Sequence, residues 1–434
     1  MSAASYVSTR GQAPAASLSQ AIAAGLAPDG GLYVPAALPS LHREEFAQGT
    51  LADTAATLLQ PFFEGDALAP DLHAICAEAL DFPVPLRPLG DSGTQLMELF
   101  HGPTAAFKDV GARFLAACLK RLRADADTPL TILVATSGDT GAAVAAAFHQ
   151  VPRLRVAVLY PDGRVSPRQA HQLGCFGDNV RALRVAGSFD DCQHMVKAAL
   201  GDTQLQAHVP MSSANSISLG RLLPQMSYYA HHALAWQRAH GHPLSFVVPT
   251  GNLGNALAAL LVRAMGLPID RVHLACNAND VIVEFLAGAD YAPRTSVATL
   301  ANAMDVGAPS NMERLRWLMP DDAALRATLS ASRIDDARIR QTISLVAQRY
   351  GRQVCPHTAC AIAAWQDLSA AGDTRDWALA ATAHPAKFER IVGQFSGQPV
   401  PVPASLDALL ARPAHAEPMR AETAVLARWL RDWH

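Results

Sequence analysis

Residues 131–148 read TILVATSGDTGAAVAAAF, which is an apolar run, a glycine-containing turn and a second apolar run. Thr131 to Thr136 is almost continuously apolar, as expected for a strand that is buried on both faces of a parallel sheet. Ala142 to Phe148 is typical of a buried helix, and Ser137 to Gly141 forms the turn between the two. A strand, a glycine loop and a helix in this order predict a crossover unit of an α/β fold.

The same order of elements recurs toward the C-terminus. Apolar segments predict further strands at 155–160, 180–185, 246–248, 272–276 and 377–382, and helical patterns lie between them at 166–173, 188–200 and 256–265. Helices that alternate with fully apolar strands indicate parallel sheets covered on both faces. The sequence therefore predicts an α/β protein with two doubly wound, mainly parallel lobes, each containing a strand, a glycine loop and a helix.

Breaks in this pattern divide the chain into four regions. They are a mainly helical N-terminal segment, a smaller α/β lobe, a larger α/β lobe and a C-terminal helical extension, at residues 1–95, 96–205, 206–412 and 413–434. The proline-rich stretch 82–88 is expected to be an extended linker. Residues 421–433 are expected to form an amphipathic helix that packs back on the body, with Val425, Trp429 and Trp433 along one side.

The composition excludes several classes of function. Half of the 434 residues are hydrophobic, 17% are charged and the formal net charge is −3, so a globular protein without general affinity for nucleic acid or anionic membranes is expected. No apolar run reaches the roughly 18 residues of a membrane-spanning helix. The first thirty residues lack the basic and apolar regions of a signal peptide. We therefore expect a cytoplasmic protein.

The chain has seven cysteines, at positions 76, 118, 175, 192, 276, 355 and 360. The number is odd, no Cys-x-x-Cys pair occurs and most lie in apolar surroundings, so buried free thiols in a reducing compartment are expected. Cys355, His357 and Cys360 could be imagined as metal ligands, but they lack a matching second pair. We expect no metal site.

One lysine lies in unusual surroundings. Lys108 is preceded by two alanines and a phenylalanine, at the end of the segment that begins at His101. After it, the apolar residues Val110, Phe114 and Cys118 follow at helical spacing. A lysine ammonium is ordinarily solvated, and it becomes a nucleophile when its neighbours desolvate it or shift its pKa. Lys108 alone would be explained as a surface lysine at a helix start.

Two loops, each between a strand and a helix, change that interpretation. The loop Gly251-Asn252-Leu253-Gly254-Asn255 can bring backbone N–H groups and a helix N-terminus to a small phosphate. The loop Ser137-Gly138-Asp139-Thr140-Gly141 suits a carboxylate, because it combines backbone N–H groups with hydroxyl donors. An apolar lysine, a phosphate site and a carboxylate site together indicate a pyridoxal-phosphate enzyme acting on an amino acid.

Five separated runs resemble those of the threonine synthase family. They are 101–109 (HGPTAAFKD), 137–141 (SGDTG), 213–217 (SANSI), 302–306 (NAMDV) and 382–388 (TAHPAKF). The N-terminal runs 8–11 (STRG) and 26–33 (LAPDGGLY) are also similar to that family. The resemblance extends from Tyr6 to about Val392.

The resemblance implies the fold type II architecture of the tryptophan synthase β-chain group and conversion of O-phospho-L-homoserine and water into L-threonine and phosphate. By matching motifs, Lys108 would bind pyridoxal 5'-phosphate as a Schiff base and, once freed, serve as the general base. The loop 251–255 would hold the cofactor phosphate, Thr382 would hydrogen-bond the pyridine nitrogen, and Asp139 would lie near the 3-oxygen. The substrate carboxylate would be bound by Thr136, Ser137 and Thr140.

The departing phosphate needs cationic or hydroxyl partners. The candidates, chosen by motif or by proximity in sequence, are Lys387, Ser213, Asn215 and Arg113. Arg113 can equally be an ordinary charge on a helix surface.

Other functions stay open at this point. A phosphohomoserine phospho-lyase or a serine/threonine dehydratase of the same fold would release a 2-oxo acid and ammonia instead of threonine. An inactive homologue could bind an amino acid as a sensor, although it would be expected to have lost Lys108 or a loop. Nucleotide binding is weakly supported, since no Gly-x-Gly-x-x-Gly motif is present. A monomer or a homodimer is expected.

Overall fold

The computed structural model describes residues 4–90 and 93–433. Positions 1–3, 91, 92 and 434 lie outside the described residues. They belong to the predicted N-terminal segment 1–95 and to the predicted C-terminal extension 413–434. Within the described part of the chain, no helix is both long and apolar enough to cross a lipid bilayer.

The strands of the described residues form three sheets. They are β1 (Tyr6–Ser8), β2 (Tyr33–Pro35), β3 (Leu86–Pro88), β4 (Gln95–Glu98), β5 (Leu130–Ala135), β6 (Leu154–Pro161), β7 (Val180–Ala186), β8 (Met211–Ser213), β9 (Leu244–Pro249), β10 (Ile269–Cys276), β11 (Ser330–Arg333), β12 (Trp377–Ala381) and β13 (Glu417–Arg420).

Helices connect the strands and cover the sheets. They are α1 (Leu18–Ala24), α2 (Leu51–Phe63), α3 (Leu72–Ala79), α4 (Lys108–Leu122), α5 (Asp139–Phe148), α6 (Pro167–Gly174), α7 (Phe189–Gly201), α8 (Thr203–His208), α9 (Leu219–Leu222), α10 (Met226–His240), α11 (Gly254–Ala264), α12 (Val281–Leu286), α13 (Met312–Leu318), α14 (Asp322–Thr328), α15 (Asp336–Tyr350), α16 (Pro356–Ala370), α17 (Glu389–Ser396), α18 (Ala404–Leu410) and α19 (Thr423–Asp432). Short 3₁₀ turns lie at Arg43–Glu45, Ala69–Asp71, Leu223–Gln225, Asn302–Met304 and Pro385–Phe388.

The smaller lobe is built on a five-stranded sheet with the strand order β13-β7-β6-β5-β8, in which every pair is parallel. All six residues of β5 are buried, which is why this strand needs a continuous apolar run. The glycine loop and α5 follow it directly. The strand, loop and helix predicted at 131–148 are confirmed.

The larger lobe is built on a six-stranded sheet with the order β11-β10-β9-β12-β4-β3. Its pairs are parallel except for the antiparallel edge pair of β3 and β4. The strands β9 and β12 are buried along their whole length and lie next to each other at the centre. The fold class of two mainly parallel α/β lobes is confirmed.

Sheet membership differs from the predicted regions at three places. β3, from the predicted linker, and β4 both belong to the larger sheet, although β4 spans the predicted boundary between the N-terminal segment and the smaller lobe. β8 pairs with β5 in the smaller sheet, and β13 of the C-terminal extension forms an edge of that sheet. Each of these strands has three or four residues, too few for a periodic signal, and β4, β8 and β13 pair with strands distant in sequence. The chain therefore passes from the larger sheet to the smaller one through α4, which begins at Lys108.

The C-terminal helix α19 packs back on the body, as predicted. Its buried residues Leu426 and Leu430, together with Trp433, contact the apolar core that includes Cys192 and Met195 of α7. The predicted stripe was only partly right, because Leu426 and Leu430 are buried whereas Val425 and Trp429 are half-buried. The extension therefore completes the core of the smaller lobe.

Replacing Leu426 by alanine should destabilise the protein by about 2–5 kcal/mol, because a fully buried leucine leaves a cavity when it is truncated. The measurement is urea unfolding followed by circular dichroism, with the exposed Arg428→Ala as the matched control on the same helix. Equal unfolding midpoints for the two variants would contradict the packing of α19 described above.

Candidate active site

A cavity of about 280 Å³ is lined by residues from both lobes. Its wall includes the loop after β5, the loop after β9, the residue after β12 and the first residue of α4. In parallel sheets the carboxyl ends of the strands lie at one edge, and ligands bind in the crevice outside that edge. The cavity is therefore at the position where an α/β fold usually binds its ligand.

Lys108 reaches this cavity because its loop is bonded to the chain that leaves β12. The Phe107 N–H donates to the Thr382 carbonyl at 2.8 Å, and the His384 N–H donates to the Ala105 carbonyl at 3.0 Å. Ala105 has a φ of 56°, a left-handed conformation that costs free energy in a non-glycine residue and is often found at functional sites. Lys108 and Thr382 both line the cavity as a result.

The surroundings of Lys108 favour its neutral amine. Burial lowers the pKa of Lys108 to about 8, the Asp139 carboxylate opposes this shift, and the charges of Arg221 and Lys387 add to it. A lysine with a pKa near neutrality can act as a nucleophile and as a base.

The loop from Gly251 to Asn255 joins β9 to α11, and all five of its residues line the cavity. Leu253 adopts a left-handed φ of 62°, and a Cβ on Gly251 would lie 2.7 Å from the Cα and carbonyl oxygen of Met304. The N–H groups in the first turn of a helix have no partner within the helix. This loop therefore presents the N-terminus of α11 to the cavity, as a phosphate site requires.

Side chains behind this loop fix its shape. The Asn252 side chain donates to Ser216 Oγ at 2.7 Å and accepts from the Ser310 N–H at 2.5 Å. Asn255 Oδ1 accepts from the hydroxyls of Tyr228 and Tyr229 at 2.6 and 2.9 Å. The Asn255 amide nitrogen is buried without a hydrogen-bond partner among the described residues. It is a donor that a bound ligand can satisfy.

The loop after β5 is shaped by its own threonine. Thr136 Oγ1 accepts from the N–H groups of Gly138 and Gly141 at 3.0 and 2.9 Å. Gly138 has a φ of 133°, and a Cβ there would lie 2.5 Å from the Gln169 side chain, so this position requires glycine. Thr136, Ser137 and Thr140 all line the cavity. They lie at the N-terminus of α5, which suits a carboxylate.

Asp139 is the buried acid of this loop. Its carboxylate accepts from Gln169 Nε2 at 2.9 Å and lies 3.1 Å from Lys387 Nζ. Burial alone would raise the pKa of the Asp139 carboxyl, but the ammonium groups of Lys387 and Lys108 and the Gln169 hydrogen bond hold this pKa well below its ordinary value. Asp139 is therefore ionised.

The residues predicted to bind the departing phosphate do not all reach the cavity. Asn215 lines it, and its Oδ1 is buried without a partner in the described part of the chain. Ser213 is buried at the end of β8, where its hydroxyl accepts from the Asn215 N–H at 3.2 Å, and it does not line the cavity. Lys387 is fully buried behind Asp139 and does not line it either.

Arg113 is placed away from the cavity, which corrects the prediction based on its proximity to Lys108. Its guanidinium donates to the carbonyls of Ala79 and Glu78 and forms an ion pair with Asp81 at 2.8 Å. Five residues along a helix correspond to a rotation of about 140° from Lys108, so Arg113 lies on a different face of α4. It fastens α4 to the end of α3.

Several cavity residues were not predicted to be functional. They are Lys197, Arg221, Gln225, Arg294, Asn302 and His357. The family motif at 302–306 carries no predicted role. His357 Nε2 accepts the Ala303 N–H at 3.1 Å, and burial lowers the pKa of His357 to about 4, so its ring is neutral. Cys355, considered above with His357, is the N-cap of α16, and its Sγ accepts the Thr358 N–H.

Comparisons with known proteins show which family the chain is similar to. Residues 88–385 match the family described as pyridoxal-phosphate dependent enzyme. Residues 5–80 match the threonine synthase N terminus and residues 358–428 its C-terminal region. The threonine synthase of Haemophilus influenzae is 36% identical over 413 residues, which cover 95% of this chain and 96% of that protein. This chain belongs to the threonine synthase family.

Solved structures of threonine synthases share its fold. The Escherichia coli structure has a TM-score of 0.91 and 33% identity, and it covers 99% of this chain and 100% of its own. The pyridoxal-phosphate-bound threonine synthase of Brucella melitensis has a TM-score of 0.90, 34% identity and 99% coverage of both chains. The cofactor of the family fits the cavity, because the site combines a lysine of lowered pKa, a helix N-terminus that lines the cavity and an unpaired buried amide.

We predict that Gly251→Ala weakens cofactor binding at least about tenfold, because the added Cβ would push the loop away from the Met304 backbone. Titration of pyridoxal phosphate followed by visible absorption measures the affinity. Gly201→Ala is the control, since a Cβ at that position meets nothing within 4 Å. An unchanged affinity in Gly251→Ala would rule out the loop as the phosphate site.

Proposed function

We propose that this member of the threonine synthase family converts O-phospho-L-homoserine and water into L-threonine and phosphate. The observation that supports the proposal best is that Lys108 and the two glycine-containing loops, 137–141 and 251–255, lie around one cavity. Pyridoxal phosphate, when bound, supplies an electron sink that makes the hydrogens next to the amino group acidic. The protein has to bind the cofactor and the substrate, orient them and move protons between them.

We infer the following roles for the residues that hold the cofactor. Lys108 would hold it covalently, and the N–H groups of residues 251–255 would bind its phosphate. The Thr382 hydroxyl would hydrogen-bond the pyridine nitrogen, which a neutral hydroxyl does not force to be protonated. Asp139, ionised at the start of α5, would lie near the 3-oxygen.

Proton transfer is assigned to the amine of Lys108. Its pKa of about 8 leaves part of this amine uncharged near neutral pH, so it can remove a proton from a substrate carbon. The neutral ring of His357 holds the backbone of Ala303 and is not needed as an acid.

The two ends of the substrate would bind on different sides of the cavity. The carboxylate would be held by Ser137, Thr140 and the N–H groups at the start of α5, with Thr136 shaping that loop. Asn215 and Lys197 are proposed to bind the phosphate that departs.

Lys197 is preferred among the cations because its charge is free. Arg221 donates to the Ala214 carbonyl, and Arg294 is paired with Asp280 and Glu284. Apart from Lys108, Lys197 is the one lysine or arginine of the cavity wall for which the described residues provide neither an ion pair nor a hydrogen bond. An exposed ammonium at the mouth of a cavity suits a dianionic leaving group.

We also propose that the reaction takes place in the cytoplasm. All seven cysteines are free and buried, which agrees with a reducing cytoplasm. The partner would be the small-molecule substrate, and a monomer or a homodimer stays our prediction.

Threonine formation tests the proposed function. The purified protein with phosphohomoserine should produce threonine and phosphate in equal amounts, and Lys108→Ala should produce neither above background while also losing the visible absorption of the cofactor. The assay measures threonine and 2-oxobutyrate together. If 2-oxobutyrate and ammonia accumulate instead of threonine, the protein is a phospho-lyase, because water does not add before the intermediate escapes.

Lys197→Ala should lower kcat/KM for phosphohomoserine by at least about tenfold, or ~1.4 kcal/mol, because the phosphate loses its cation. The affinity for L-homoserine, which has no phosphate, should be unchanged, and spectral titration of the bound cofactor measures it. Lys120→Ala is the control, since Lys120 pairs with Glu78 on the surface. Equal losses for both amino acids in Lys197→Ala would remove Lys197 from the phosphate site.

A further inference from the structure

Lysine is rare in this protein and concentrated near the cavity. Only four of the 35 lysine and arginine residues are lysines, and they are Lys108, Lys120, Lys197 and Lys387. Lys120 lies on the surface, whereas Lys108 and Lys197 line the cavity and Lys387 contacts Asp139. Lys387 is fully buried, with 0% of its side chain exposed. A buried ammonium outside the cavity wall needs an explanation.

The ammonium of Lys387 joins three segments of the chain. It lies in the 3₁₀ turn Pro385–Phe388 that follows β12 of the larger sheet. Its Nζ donates to the Thr104 carbonyl at 2.7 Å, in the loop that precedes Lys108. The same Nζ lies 3.1 Å from Oδ1 of Asp139, at the start of α5 in the smaller lobe. One side chain therefore connects the larger sheet, the Lys108 loop and the smaller lobe.

Neighbouring bonds hold the same turn against the smaller lobe. The Ser166 hydroxyl donates to the Lys387 carbonyl at 3.1 Å, and Arg168 donates to the Ala386 carbonyl at 2.7 Å. Gln169, on the same helix α6, donates to Asp139. Lys387 is thus the charged centre of a bonded contact between the lobes.

We propose that Lys387 is a positioning residue, whose ammonium holds the carboxylate of Asp139 and the loop that carries Lys108 together across the two lobes. It acts through Asp139 and Thr104 rather than on the substrate phosphate, since it does not line the cavity. A buried carboxylate needs a paired and hydrogen-bonded partner, and a compact ammonium can reach two acceptors at once.

The charge of Lys387 also acts on Lys108. The charged or titratable groups that face Lys108 are Asp139, Arg221, Lys387 and His357. Lys387 lowers the pKa of Lys108. Removing this positive charge should therefore favour the protonated form of the nitrogen of Lys108, whether it is free or bound to the cofactor as a Schiff base.

The test uses the complete, cofactor-loaded protein and rests on the proposed role of Lys108, but it does not depend on turnover. Lys387→Gln keeps a hydrogen-bond donor and removes the charge, and Lys120→Met is the matched control. The pH midpoint of the visible absorption change should move upward by at least about half a unit in Lys387→Gln and stay unchanged in Lys120→Met. An unmoved midpoint in Lys387→Gln would overturn the inference.

A second measurement needs no variant of Lys387. With ¹⁵N-labelled lysine, the four side-chain signals can be assigned from variants of Lys108, Lys120 and Lys197, which leaves Lys387. Its ammonium protons should exchange with water at least about tenfold more slowly than those of Lys120, because both of its partners are buried. Exchange as fast as that of Lys120 would overturn the inference, even if Lys387→Gln did not fold or the protein made no threonine.

Discussion

The site depends on the backbone pairing between the Lys108 loop and the chain that leaves β12. The bond from the Phe107 N–H to the Thr382 carbonyl, next to a bridge between Ala106 and Ala383, fixes the start of α4 at the end of the larger sheet. From there α4 leads into the smaller lobe. Because this crossing occurs at Lys108, the lysine lies where the loops of both sheets meet, and both can face one ligand.

The charged groups around Lys108 are bonded to one another or to the backbone, and Lys108 itself is left without a hydrogen bond in the described part of the chain. Lys387 is bonded to Asp139, and the buried Arg221, whose pKa burial lowers to about 10, donates to the Ala214 carbonyl. Lys108 forms no hydrogen bond with the described residues, and burial lowers its pKa although the Asp139 carboxylate opposes this shift. The physical result is one amine of lowered pKa beside one ionised carboxylate, which is the arrangement that lysine chemistry at neutral pH needs.

The sequence predicts the units that depend on local pattern. β5 and β9 are buried on both faces, so each needs a continuous apolar run. The glycine loops can be recognised in the sequence because each directly follows such a run. The short strands β8 and β13 could not be assigned, because their pairing depends on partners distant in sequence. Arg113 was misplaced because nearness in sequence does not determine the helix face, and the burial of Lys387 depends on Asp139, some 250 residues away.

The central claim is that Lys108, held between the two lobes, carries the cofactor. Borohydride reduction of the cofactor-loaded protein fixes the cofactor to its lysine, and peptide mass spectrometry then locates it. Because the chain has only four lysines, the result is unambiguous. We predict a pyridoxyl group on Lys108 alone. A label on Lys120, Lys197 or Lys387, or no label in protein that has been saturated with the cofactor, would contradict it.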